Sequence, residues 1–214
     1  DGKDNQQLRD IVQRLQRRLW QQGLVFENCV ADTGYSSGEN YAFLEQRGLK
    51  SFIPPHGTYK GGPDGFTYIE QADHYLCPQD KVIPFKKVFL DHRTKTKKKA
   101  YRASSKICKG CPLRDTCLGK VNEKQFSVTY YREEYQRNIA RVESPQGRYM
   151  KGKRQSTVEP VFGTLTQFMG MRKINTIGIK QANKVMHLSA IAYNLKKYLK
   201  FDQKLVESGV GTTA

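Results

Sequence analysis

Apolar residues at Leu8, Ile11, Val12, Leu15 and Leu19 recur at three- and four-residue intervals. This spacing predicts an amphipathic helix, with Asp4 available as its cap and Gly23 closing it. The period then changes. Leu24 to Ala31 is a short apolar run rich in β-formers that ends at Asp32-Thr33-Gly34, so it predicts a buried strand. A second helix is expected from about Ser36, where Ser36 and Glu39 stand at capping-box spacing, to Gly48. Ser51 to Ile53 predicts another strand, stopped by Pro54-Pro55. Helix, strand, helix, strand implies a βαβ crossover, hence a parallel pair and an α/β fold.

From 56 to 130 the regular pattern is broken by Gly57, Gly61, Gly62, Pro63 and Gly65, and pieces such as Phe66 to Ile69 suggest hairpins. The last third is helical again. Tyr131 to Val142 predicts one helix. A second carries Val158, Val161, Phe162, Leu165, Phe168 and Met169 on one face, and a third carries Val185, Leu188, Ala192, Leu195 and Leu199. The expected layout is a βαβ core part over 1–55, a Cys-rich basic insertion over 56–130, C-terminal core helices over 131–200 and a flexible tail over 201–214. No run of about 18 apolar residues occurs, which argues against a membrane-spanning helix.

With 214 residues and 37% hydrophobic content, the chain can form one domain carrying an insertion, and wholesale disorder is excluded. Charge narrows the partner. The net charge is +17, and residues 81–124 hold 14 Lys and Arg against Asp91, Asp115 and Glu123. Such a surplus favours a polyanion, most simply nucleic acid. Lys95, Lys97, Lys98 and Lys99 read as a solvated loop or as a surface that contacts phosphates.

Cys77, Cys108, Cys111 and Cys117 lie in YLCPQDK and ICKGCPLRDTC. Cys108-x-x-Cys111 is the spacing at which two thiolates from one turn grip one metal ion, so the four predict a structural Zn2+ site. An iron–sulfur cluster uses the same ligands, and unmetallated thiols are the third reading. The N-terminus reads as lacking a secretory signal, which makes disulfides the weaker expectation. His74 and His92 are close enough in sequence to substitute as ligands, and Cys29 reads as a small core side chain.

Two carboxylates draw attention by position. Asp32 follows a predicted strand, and ligand sites of open α/β sheets form at such carboxyl ends. It also suits the start of the turn with Thr33 and Gly34. Ser156-x-x-Glu159 has capping-box spacing before an apolar helical run, although Pro160 at the fourth helical position would crowd the Ser156 carbonyl. On a continuous helix Glu159 flanks the apolar stripe instead. Lys151, Lys153 and Arg154 just upstream suit phosphates.

VADTGYSSGEN at 30–40, CPQDK at 77–81, CKGCPLRDTC at 108–117, VEPVFGTL at 158–165 and AIAYNLKKYL at 190–199 occur in that order. Together they resemble the later part of the catalytic domain of bacterial insertion-sequence transposases of the DDE superfamily. The resemblance implies a ribonuclease H-like fold, here partial, in which three acids hold two Mg2+ or Mn2+ ions for DNA cleavage and strand transfer. Asp32 resembles the second acid, Glu159 the third, and Arg154 a DNA-holding residue; Lys151, Lys153, Lys97, Lys98 and Lys99 are further DNA-binding candidates. Thr166 stands where the family often has Lys, and the Arg154-to-Glu159 spacing is one residue longer than the related pattern. The family's first acid lies upstream of the helix near Asp4, and Asp1, Asp4 and Asp10 are candidates by residue type alone. A partial transposase that binds DNA without transposing it is therefore expected. Its partners would be insertion-sequence ends and target DNA, with no membrane, in the cytoplasm with the nucleoid, as a homo-oligomer or with a missing N-terminal part. The rival readings are a non-enzymatic metal-stabilised DNA-binding module and a metal-dependent nuclease.

Overall fold

The computed structural model describes residues 4–207, with side chains through residue 202. Asp1 therefore lies outside the described residues, as does the last part of the expected tail. The chain divides into two compact units, one running through Lys151 and one beginning at Gly152. No helix among the described residues is long and apolar enough to cross a membrane.

The first unit opens with helix α1 (Asp4–Trp20), which buries Leu8 and Val12. The helix ends in a Schellman turn: the Gly23 N–H donates to Trp20 O and the Leu24 N–H to Leu19 O, at 3.0 and 2.9 Å. Gly23 takes the left-handed φ of +68° that this motif needs. The turn commits the Leu24 N–H, so the strand expected from Leu24 is shortened to β1 (Asn28–Val30), and Leu24 and Val25 are exposed. Helix α2 (Gly38–Gln46) and strand β2 (Lys50–Phe52) follow. β1 and β2 pair in parallel, Asn28 with Lys50 and Val30 with Phe52, so the predicted βαβ crossover is present.

The cap of α2 differs from expectation. Ser37, not Ser36, accepts from the Asn40 N–H at 3.1 Å. Ser36 Oγ instead shares a hydrogen bond with Tyr41 Oη at 2.8 Å and accepts from the His56 N–H at 3.3 Å. Glu39 does not reach back to its own helix terminus, because its Oε1 accepts the Lys97 N–H at 3.0 Å. Tertiary partners outbid the local box.

Leu8, Val12, Tyr41, Leu44, Leu49 and Ile53 form the core beside this parallel pair, with Cys29 packed against it. Burial raises the Cys29 thiol to about 11, so it stays a protonated core side chain, as expected. Helix α5 (Arg132–Glu143) closes the core. Its Asn138 is fully buried, donates to Ile53 O at 2.8 Å and accepts the Ile53 N–H at 3.4 Å. A side-chain amide thus replaces the sheet partner that the end of β2 lacks.

Glu45 ties α2 to α5 through Arg137 Nη2 at 2.7 Å and Arg141 Nη2 at 2.6 Å. Burial alone would raise the Glu45 carboxyl, but the hydrogen bonds from both arginines outweigh it and hold it below its usual range. A depressed carboxylate contributes stability above its unfolded value near 4.3, and that contribution is lost as pH falls through the folded value. Glu45→Gln is therefore expected to cost about 1–2 kcal/mol at pH 7, and progressively less as the pH is lowered through the folded value. Urea denaturation at pH 7 and at stepwise lower pH tests this. An equal loss throughout would assign the effect to packing rather than charge.

Five strands lie between 67 and 129: β3 (Thr67–Ile69), β4 (His74–Leu76), β5 (Val82–Asp91), β6 (Thr96–Arg102) and β7 (Gln125–Thr129). They pair antiparallel in sequence order, so the chain combines parallel and antiparallel sheets in a mixed α/β structure. The lysine run is part of this sheet and not a loop. Lys97, Lys98 and Lys99 sit on β6 opposite Leu90, Phe89 and Val88 of β5. Those apolar neighbours, invisible from the lysines themselves, draw the run into a ladder. The aromatic core beneath holds Tyr75, Ile83 and Tyr101. At its edge Asp73 accepts from Tyr68 Oη, Tyr101 Oη and Lys99 Nζ at 2.9, 2.5 and 2.9 Å. Short helices α3 (Ser105–Cys108) and α4 (Arg114–Leu118) bridge β6 to β7.

Helix α6 (Pro145–Gly163) begins with Pro at its first position and Ser144 before it, whose Oγ accepts the Gly147 N–H at 3.0 Å. It runs through Pro160 without stopping, then passes into a π-helical turn at Thr164–Phe168. Ser156 is therefore mid-helix and caps nothing; its Oγ donates to Lys153 O at 3.1 Å. In the second unit Leu165 is buried, and α7 (Ile179–Glu207) continues beyond Phe201, where the tail was expected to begin.

Candidate functional site

Asp32 stands just past the carboxyl end of β1 and starts a 3-10 turn at Thr33–Tyr35. Its Oδ1 accepts the Gly34 N–H at 2.9 Å, so the turn role read from the sequence is real. The position remains available for chemistry, because one oxygen suffices for the cap. Asp4 Oδ2 and Asp32 Oδ1 each lie 3.1 Å from where a β-carbon on Gly34 would sit. Two carboxylates thus flank one glycine, brought together by α1 and the crossover across 28 residues of chain. Desolvation raises the neighbouring Tyr35 hydroxyl, and both acids add to the shift. Asp10, by contrast, pairs with Arg14 on the surface of α1 at 2.8 Å. A cavity of about 650 Å³ opens beside the turn, lined by Asp4, Asn5, Ser36, Glu39, His56 and Lys98 among others.

Glu159 lies in the second unit, on α6. Its Oε1 is 3.9 Å from Arg154 Nη2, a loose pair with the glutamate 60% exposed. An i, i+5 pair does not share a helix face, so the contact depends on the reach of the long side chains. Thr166 Oγ1 donates to Phe162 O at 2.7 Å.

Two of the three strand lysines are already paired. Lys98 Nζ meets Asp91 at 2.6 Å and Lys99 Nζ meets Asp73 at 2.9 Å. Lys97 is exposed, and its backbone alone is engaged by Glu39 and Tyr130.

Cys77, Cys108, Cys111 and Cys117 all line one cavity of about 30 Å³ with Phe66, Ile83 and Lys124. All four are free thiols of intermediate exposure. Cys77 Sγ accepts the Gln79 N–H at 3.4 Å. His74 lies on β4 and His92 in the β5–β6 turn; neither lines the cavity. Among the described residues no three His, Cys, Asp or Glu side chains close on one point as metal ligands do.

Comparison with known families adds a decisive observation: the profile of the transposase DDE domain matches residues 76–199, more than half of the chain. The chain belongs to the transposase DDE domain family. No curated protein and no solved structure matches it. Glu159, Arg154, the strand lysines and all four clustered cysteines of this transposase chain fall inside the matched stretch, and Asp32 falls before it. Membership carries transposition of DNA and the use of divalent metal as properties of the family. Asp4 is the residue whose place sequence reasoning understated: read as a helix cap, it stands beside Asp32, and no spacing rule links positions so far apart.

Proposed function

We propose that this transposase chain serves metal-dependent cleavage and joining of DNA, with Asp32 and Glu159 as the second and third acids of the family's triad. The carrying observation is the family match over 76–199. Support for Asp32 comes from its place at a strand's carboxyl end and from its free second oxygen. Hard carboxylate oxygens suit Mg2+ or Mn2+, and Asp32 and Glu159 would hold them. Such ions, held there, would supply activation of the attacking hydroxyl and charge stabilisation at the leaving oxygen. The chain's own contribution is to supply the negative charge at those points and to hold the DNA backbone. Lys97 and the Lys151, Lys153 and Arg154 cluster serve that second role, with Lys98 and Lys99 as partly neutralised neighbours. The parallel β1–α2–β2 unit supports a ribonuclease H-like core, with the Cys-rich basic stretch of 56–130 inserted into it. The experiment is substitution of both acids, read by Mn2+ affinity and DNA affinity together.

Structural Zn2+ at Cys77, Cys108, Cys111 and Cys117 rests on four soft donors lining one cavity; their thiols do not converge on one point in this structure, so the ion would have to draw them together. Purified protein is expected to carry one Zn2+ per chain, and chelation is expected to lower its unfolding temperature by more than 5 °C, roughly 2 kcal/mol for a chain of this size. Cys108→Ser with Cys111→Ser should abolish both effects. Visible absorption with bound iron would assign the site to an iron–sulfur cluster, and a chelator-insensitive transition would leave the thiols unmetallated.

A further inference from the structure

The register of the antiparallel sheet sorts its side chains into two faces. Phe85 stands opposite Tyr101, Val88 opposite Lys99 and Leu90 opposite Lys97. On the other side of β6, Phe126 stands opposite Tyr101 and Val128 opposite Lys99. Residues 85 and 88 would fall on opposite faces of a regular strand. They share one because the ladder shifts between Phe85 and Lys87, taking Lys86 out of the alternation. The shared face is buried at Tyr75 and Tyr101, and opens outward into a cavity of about 550 Å³ lined by Tyr68, Phe85, Lys99, Val128, Tyr130 and Arg132 among others. Its outer part is uncovered: Phe85, Val88, Leu90 and Tyr130 are 40, 44, 50 and 45% exposed.

Cations are interleaved with these rings. Lys99 Nζ lies 5.8 Å from the Phe85 centroid, and the Arg132 guanidinium lies 4.2 Å from that of Tyr68. Glu70, Asp73, Glu133 and Glu134 also line the cavity. Asp73 is taken up by Lys99 and two tyrosine hydroxyls, and Arg137 lies 3.4 and 3.9 Å from Glu133 and Glu134. Arg137 is bound more closely by Glu45, at 2.7 Å, and Lys97, which the register places on the same face as Leu90, is exposed. Duplex DNA would use only the lysines, since its base faces are stacked inside. An unpaired strand offers both its phosphates and its π-faces, and so matches exposed rings set among cations.

We propose that this face of β5, β6 and β7 binds unpaired DNA, stacking bases on Phe85 and Tyr130 while Lys97, exposed on the same face, holds the backbone. The inference rests on the DNA reading above and adds the form of DNA recognised. The probes are a labelled oligothymidylate and a duplex of equal length, titrated at one fixed salt concentration. Phe85→Ala and Tyr130→Ala are each expected to weaken oligothymidylate binding roughly tenfold and to leave the duplex unchanged. Phe85→Trp should retain the affinity and report it, its fluorescence being quenched by the oligonucleotide beyond any change from the native Trp20. That measurement stands even where an alanine variant misfolds. Unchanged oligothymidylate affinity in folded alanine variants, or an equal fall for single strand and duplex, overturns the platform. Wild-type protein that binds duplex alone also overturns it and leaves the DNA reading intact; wild-type protein that binds neither overturns both.

Discussion

Asp32→Asn is expected to lower divalent-metal affinity at least tenfold without unfolding the chain. The asparagine Oδ1 can still accept the Gly34 N–H that Asp32 accepts at 2.9 Å, so the turn survives while the charge is lost. Alanine would confound the two effects. Glu159→Gln is equally mild structurally, because the glutamate is 60% exposed and makes only a 3.9 Å pair with Arg154. A bound divalent ion supplies several kcal/mol of transition-state stabilisation, and about 4 kcal/mol corresponds to roughly 10³-fold in rate. Each variant should lose at least tenfold in Mn2+ affinity, and any strand transfer the wild-type chain shows on DNA carrying insertion-sequence ends should fall by roughly that 10³-fold factor. DNA affinity and unfolding temperature should stay at the wild-type values. Unaltered Mn2+ binding in the double variant would sink the assignment, and a loss of folding would return both acids to the roles of turn and surface residue.

Gly147→Ala is expected to be the most damaging single methyl in the described residues. A β-carbon there would overlap the carbonyl oxygens of Val142 and Arg141, backbone atoms that no rotamer change can move away. Gly147 is buried where α5 turns into α6, and its N–H is held by the Ser144 hydroxyl at 3.0 Å. Overpacking of this kind costs about 3 kcal/mol or more when the neighbours cannot yield. Gly152→Ala, five residues along the same helix, meets nothing within 4 Å. It should stabilise by about 0.5–1 kcal/mol, the helix-interior difference between the two residues. Urea unfolding of the pair gives opposite signs if close backbone approach explains Gly147. A similar small change at both would show that the α5–α6 junction relaxes freely.

Local sequence rules read the helices best. The 3.6-residue period places α1, α5 and α7, and the βαβ order implies the parallel pairing of β1 with β2, because each rests on residues near one another in the chain. Caps were less legible. Ser36 and Glu39 satisfy the spacing of a box, yet Tyr41, His56 and Lys97 claim their side chains from elsewhere in the fold. Ser156 and Glu159 satisfy the same spacing inside a helix that had already begun at Pro145. A spacing rule counts residues and has no information on whether a helix is starting or in progress.

The amino-acid sequence by itself determined the family, the helical stretches, the excess of positive charge and the four cysteines that share a cavity. It also marked Asp32 and Glu159, since motif order and residue type are properties of the chain. Tertiary structure alone decided which face each lysine of β6 takes, which of them a carboxylate neutralises, and that Asp4 stands beside Asp32. It also brought Phe85 and Val88 to one face, through a shift of register between Phe85 and Lys87. Those outcomes depend on partners such as Asp91, 7 positions from Lys98, and Asp73, 26 from Lys99, chosen by burial and pairing across the fold, and a linear pattern carries no information about them.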